Sequence, residues 1–133
     1  MSGYTNNAIF TRMKTAVLAV ASTADCTQTY NPTPTAFPTV FAREIGRFTP
    51  PTTATLSNAQ DISETTWEVH VLSNKKPGGK EEAYKLMTAV KSAFRLLYFV
   101  ETFESPVDTS KDYYTLVARF RRIVGSGEEL PTN

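Results

Sequence analysis

One cysteine, one histidine and almost no net charge are the scarcities of this sequence, and each closes a class of function. With Cys26 alone, neither an intramolecular disulfide nor a cysteine-based zinc site can form. His70 is a residue type that changes charge near neutral pH, but no Cys, Asp or Glu stands at metal-ligand spacing from it. A serine nucleophile needs a base and an orienting acid, and one histidine without a nucleophile-elbow pattern does not supply them. An enzyme is therefore not expected, and neither is a cofactor. A formal charge of +1 gives no global field for capturing nucleic acid, which leaves only local basic patches. The longest apolar run near the N-terminus, residues 16–21, is too short to span a bilayer, and no convincing cleavage site follows a charged start. The expectation is a soluble product made inside the cell, without a membrane partner.

What is present fits one folded domain. The chain has 133 residues, 41% hydrophobic and 20% charged, enough to bury a single continuous core and too apolar for a disordered chain. Residues 80–98 are its organising stretch: Ala83, Leu86, Met87, Val90, Phe94 and Leu97 recur at steps of three and four, on one face of a helix about 28 Å long. Before it, Trp67, Val69 and Val71 alternate with Glu68 and His70, so one side of a strand over residues 67–72 is apolar and fit to cover that face. A strand over residues 99–104 leads out.

The remaining elements follow the same periodicities. Ile9, Met13, Ala16, Val17 and Val20 form a second helical stripe over residues 5–21, with Thr5 or Asn6 as its cap. Its polar face carries too little positive charge for a membrane-surface helix. Residues 26–30 are β-compatible, and Asn31, Pro32 and Pro34 make a loop. Residues 37–46 read as a strand, Val40 and Ala42 pointing one way and Phe41, Arg43 and Ile45 the other; Pro38 stands where a strand tolerates proline. Residues 47–63 shift to Thr, Pro, Ser, Asn and Gln, with Pro50 and Pro51 at their start and only Leu56 and Ile62 as large aliphatics. A segment of that length without its own core reads either as a spacer or as an extended arm that orders against a neighbouring subunit. Residues 113–124 form a last long strand, paired as an antiparallel hairpin with residues 99–104. Tyr114, Leu116, Ala118 and Phe120 are expected to face the core, and Thr115, Val117, Arg119, Arg121 and Ile123 the other side, which is not cleanly polar and so suits another protein. Residues 125–133 read as a flexible tail. The fold class is α+β: two amphipathic helices on a mainly antiparallel sheet, with a long extended loop or arm.

Three local patterns invite chemistry. Gly78-Gly79-Lys80 suggests a phosphate loop, but position 74 is Asn where that motif needs Gly, and position 81 is Glu where it needs Ser or Thr. Glu81 and Glu82 in the first helical turn favour the helix dipole and oppose a bound phosphate. The carboxylate pairs Glu81/Glu82 and Glu128/Glu129 are adjacent in sequence, and adjacent helical residues point apart. Of the two basic clusters, Lys75, Lys76 and Lys80 are of the kind that contacts phosphate, and read as solvated loop lysines in preference to that. Arg119, Arg121 and Arg122 read either as arginines paired across strands or as half of an intersubunit ion pair.

The N-terminal helix, the Phe37-Pro38-Thr39-Val40-Phe41-Ala42 strand, the polar arm, the Glu64-Thr65-Thr66-Trp67-Glu68-Val69-His70-Val71 strand, the helix over residues 80–97 and the closing strand over residues 113–123 together resemble the tail-terminator (tail-completion, tail-to-head joining) proteins of long-tailed bacteriophages. The likeness covers nearly the whole chain and rests on element order, size and pattern, not on an invariant motif. It implies a structural virion protein at the tail-neck junction, made in the host cytoplasm, that assembles as a ring, usually a hexamer. The ring caps the tail tube, stops its polymerisation and meets the head connector. Its implied partners are copies of itself, the tail-tube protein and a head-tail connector or head-closure protein, with DNA only passing through. The surfaces expected to carry subunit and tail contacts are Arg47, Pro50, Pro51, Leu56 and Ile62 of the arm, Lys75, Lys76 and Lys80 of the loop, and Arg119 and Arg121 of the last strand. The alternatives are another neck or tail component, such as a head-closure, adaptor or tail-tube protein, and a small nucleic-acid-binding domain.

Overall fold

The computed structural model describes residues 4–29, 36–48, 62–109, 112–125 and 130–131. In chain order the elements are α1 (Asn6–Val20), β1 (Asp25–Thr27), β2 (Thr39–Phe48), β3 (Ile62–Ser73), α2 (Gly79–Leu96), β4 (Val100–Glu104) and β5 (Tyr114–Gly125). The strands form one sheet in the order β1-β2-β3-β5-β4, parallel between β1 and β2 and antiparallel elsewhere. The fold is α+β, with both helices on one face of a mostly antiparallel sheet.

The period-two alternation of β3 decides which face is covered. Trp67, Val69 and Val71 are fully buried, as are Leu116 and Ala118 beside them on β5, while Phe120 is nearly so. The α2 stripe closes over them through Ala83, Leu86, Met87, Val90 and Phe94, and α1 adds Ile9, Met13 and Val17. Phe94 sits at the centre: its ring stacks on Phe120 at 4.5 Å, meets Phe99 edge-on at 5.1 Å and lies 6.0 Å from Trp67. Burying one such ring stabilises the fold by about 1.5–3 kcal/mol, so this aromatic cluster fixes α2 on the sheet. Thr5 is the α1 cap, its hydroxyl accepting from the Ala8 N–H. The buried Tyr4 hydroxyl donates to the Leu97 carbonyl at 3.1 Å and ties the start of the chain to the end of α2.

Several expected boundaries move. Arg47 and Phe48 continue β2, and Ile62 and Ser63 open β3, so the arm expected over residues 47–63 loses both its ends; positions 49–61 lie outside the described residues. Alternation alone puts the start of β3 at Trp67, and the strand read from Glu64 begins two residues inside it. Thr65 is fully buried on the helix side, where its hydroxyl donates to Glu44, so a polar pair stands where alternation calls for an apolar one. In β2 the register shifts between Glu44 and Gly46, making Ile45 the extra residue of a bulge and breaking the expected Arg43/Ile45 alternation. The helix expected over residues 80–98 ends at Leu96, and Tyr98 leaves it with φ 66°. The tail expected over residues 125–133 is not wholly detached: Gly125 closes β5, Leu130 packs against the core and the Pro131 carbonyl accepts from Arg12 at 2.6 Å. Positions 126–129 and 132–133 lie outside the described residues.

Candidate functional site

Among the described residues no helix packs on the second face of the sheet, and charge is arranged there by strand register. Glu68 of β3 stands opposite Arg43 of β2 on one side and Arg119 of β5 on the other. The Arg119 Nε donates to Glu68 Oε2 at 2.8 Å, His70 Nε2 lies 3.0 Å from Glu68 Oε1, and Arg43 is 3.9 Å away. His70 thus has an acidic neighbour two residues back on the same face of its own strand, which corrects the expectation that no carboxylate stands at ligand spacing from it. Burial alone pushes the Glu68 carboxyl up, but the hydrogen bonds and charges of His70 and Arg119 outweigh it and hold the group below its ordinary value. One step along the face, Arg121 pairs with Glu64 at 3.2 Å. The carboxylates lie low and the guanidiniums on top: Glu64 and Glu68 side chains are 14% and 11% exposed, those of Arg121 and Arg119 51% and 49%. Arg119 also covers the Phe103 ring at 5.4 Å, and Arg43 the Phe41 ring at 5.7 Å.

Apolar side chains border this ladder. Val100, Phe103 and Ile123 are about half exposed, and Ile45 stands out at the β2 bulge. The edge strand β4 is exposed along its length, broken by a bulge at Thr102 and tied to α2 by Lys91, which reaches Glu104 at 2.9 Å and Glu101 at 3.5 Å. Burial disfavours the Lys91 ammonium, yet the two carboxylates raise its pKa overall.

The loop before α2 forms a second surface feature. A recess of about 800 Å³ is lined by Pro77, Gly78, Gly79, Tyr84 and Tyr114, with Lys75, Lys80 and Glu81 among its walls. Gly78 has φ 96°, a conformation that favours glycine, and a Cβ on Gly79 would stand 2.8 Å from the Tyr114 ring. Ser73 donates to Glu82 at 2.6 Å and accepts from the Lys75 N–H, which anchors the loop.

The residues named from sequence thus fall in different places. Arg119 and Arg121 lie together on the second sheet face, each in an ion pair within the chain. Lys75 and Lys80 share the recess, and Lys76 is exposed beside it. Arg47 sits apart, held by Glu44 at 2.9 Å and donating to the Tyr4 carbonyl at 2.7 Å. Ile62 begins β3 by pairing with Gly125; Pro50, Pro51 and Leu56 lie outside the described residues. Sequence reasoning missed Arg43, Glu64, Glu68 and Val100. The only local signal for the carboxylates was their outward place in an alternating strand.

Among the described residues no group of three or more His, Cys, Asp or Glu is placed to hold a metal ion, and no helix is long and apolar enough to cross a membrane. No protein-family model matches the chain, and no curated protein matches it.

Proposed function

We propose that the chain is a ring-forming tail-terminator protein, which caps the tail tube of a long-tailed bacteriophage, stops its polymerisation and joins the tail to the head connector. One observation carries this reading: both helices lie on one face of the sheet, while the second face and its adjoining edge leave Val100, Phe103 and Ile123 half exposed among half-exposed arginines. Exposed apolar and aromatic side chains interleaved with arginine are the make-up of a protein contact surface. A ring requires a heterologous contact that closes on itself, so one subunit must present two different surfaces. The ladder face and the recess before α2 are two such surfaces. Balanced charge suits a part whose partners are copies of itself, tube protein and connector protein, and which lets DNA slide through ungripped. The order of elements, helix, strands, helix, hairpin, is that of the family the sequence resembles.

The test is to add purified protein to tail-tube subunits during polymerisation. Tubes that stop growing and carry extra density at one end support the reading. Tubes that lengthen unchanged refute it, and open-ended polymerisation of the protein by itself assigns it to the tube. A second reading draws on Arg119 over Phe103 and Arg43 over Phe41, since arginines and aromatics on a sheet face also bind single-stranded nucleic acid. The carboxylates of Glu64 and Glu68 beneath those guanidiniums weigh against it. It predicts salt-sensitive binding to an oligonucleotide, weakened by replacing Lys75, Lys76 and Lys80 or Arg119 and Arg121.

A further inference from the structure

Strand register sets the side chains of the second sheet face in rows. One row runs Phe103, Arg119, Glu68, Arg43 across β4, β5, β3 and β2, and the next runs Val100, Arg121, Thr66, Gly46. Ile123 stands beyond Arg121 on β5. The second row has a low centre, because Thr66 is short and a Cβ built on Gly46 meets nothing within 4 Å. Half-exposed Val100, Phe103 and Ile123 stand on its β4 and β5 sides.

Charge on these rows is layered. Glu64 and Glu68 lie low and are already engaged, Glu68 by Arg119, His70 and Arg43, and Glu64 by Arg121. The three arginines above them are about half exposed. Arg119 reaches its carboxylate through Nε and Arg121 through Nη1. A guanidinium has five N–H donors in one plane, so most of the donors on these rows remain for acceptors outside the pairs. Stacking on Phe103 and Phe41 fixes the planes of Arg119 and Arg43, so a partner's acceptors meet groups that are already ordered. The exposed Asp25 and Asp108 stand at the other end of the sheet, beside Thr39 and Thr115.

We propose that these rows are the docking site of an acidic amphipathic helix of a second protein. The site rests on the ladder face being a protein contact, as in the ring reading, and adds the chemistry of what it takes. Arg119 and Arg121, two residues apart on one strand, are separated by about 7 Å. Carboxylates at i and i+4 of a helix are offset by about 6 Å along its axis, so one helix meets both arginines. Its form follows from the backbone: a segment laid on the face of a sheet finds no ladder partners, and a helix satisfies its own N–H and C=O groups. Apolar side chains between the carboxylates fill the low centre over Thr66 and Gly46 and cover Val100, Phe103 and Ile123. A second copy offers no such helix: α1 carries no carboxylate, and the apolar stripe of α2 is buried on its own sheet. Nucleic acid fits less well, because its phosphates would lie over Glu64 and Glu68, and Val100 and Ile123 give a base no ring to stack on.

Methyl NMR on the full chain tests this, with Val100 and Ile123 reporting on the second face and Val20 and Leu86 on the groove between the helices. The probe is an alanine-based helical peptide of about 18 residues with a leucine stripe flanked by Glu at i and i+4, and its control carries Gln for Glu. The Glu peptide is expected to shift the Val100 and Ile123 methyls, to leave Val20 and Leu86 unmoved, and to bind about tenfold more tightly than the Gln peptide at low salt. Arg121→Gln and Ile123→Ser, at half-exposed positions, are each expected to weaken it about threefold or more while melting well above the titration temperature. Equal binding of the two peptides, shifts at Val20 and Leu86 in place of the second face, or full affinity in both variants overturns the proposal. So does a thymidine oligonucleotide that moves the Val100 and Ile123 methyls at lower concentration than the Glu peptide, or an Ile123 shift that grows with protein concentration alone, which marks a second copy as the occupant. Peptide binding by a protein that leaves tail tubes uncapped keeps the site and removes the tail reading; capped tubes without peptide binding do the reverse.

Discussion

Replacing Glu68 by Gln tests whether the ladder on the second sheet face is energetically organised as its geometry indicates. The amide keeps the shape of the side chain but removes the charge that draws Arg119 to 2.8 Å and His70 to 3.0 Å. Charge-assisted hydrogen bonds contribute about 1.5–3 kcal/mol each when shielded. Arg119 is 49% exposed, so its share falls toward the exposed ion-pair range, and the sum is about 1–2 kcal/mol. In a chain of 133 residues that lowers the melting temperature by about 3–6 °C. The pH dependence has a definite sign. Because the folded-state pKa of Glu68 is depressed, the unfolded chain binds the proton more readily, and the stabilisation is present above the unfolded-state value and lost as pH falls through the folded-state value. Urea unfolding of both proteins from neutral pH into the acid range measures this: the gap in midpoint is full at neutrality and narrows on acidification. No gap at neutral pH, or a gap that persists unchanged through the carboxylate range, refutes the argument.

Other perturbations separate the core from the surfaces. Phe94→Ala removes the ring that contacts Phe120, Phe99 and Trp67 and is expected to cost about 3–5 kcal/mol in denaturant titration; a cost below about 1 kcal/mol means the site collapses around the change. Tyr4→Phe leaves the Leu97 carbonyl without the tyrosine hydroxyl and is expected to cost about 1 kcal/mol, with faster hydrogen exchange at the end of α2. Lys91→Met frees β4 from α2 for less than about 1 kcal/mol. Because the Lys91 pKa is raised, its contribution is present below the ordinary lysine value and disappears as pH rises through the folded-state one, so variant and wild type converge at alkaline pH.

The parts of this fold that were legible in the sequence are those whose physics is local. The α2 stripe and the Trp67-Val69-Val71 alternation announce a helix on a sheet because burial repeats with the period of each element. Alternation alone started β3 at Trp67 because Thr65 is a buried polar residue paired with Glu44, a partner 21 positions away that no window over β3 contains. The bulge at Ile45 breaks period two, and its one local sign is Gly46, which reads equally well as the end of a strand. The ladder of Arg43, Glu68 and Arg119 depends on the register of three strands, so Arg119 drew notice while Arg43 and the carboxylate between them did not. Tyr98 was illegible for the opposite reason: its backbone conformation contradicts its residue type, and only the folded helix end exposes the conflict.

The most direct test of the central claim is to measure the mass of the purified protein by light scattering, alone and mixed with preformed tail tubes, and to image the mixture. Closed rings of a whole number of copies, seated at one end of each tube, are the predicted result. A chain that stays monomeric, ignores tubes and binds single-stranded nucleic acid with steep salt dependence contradicts it.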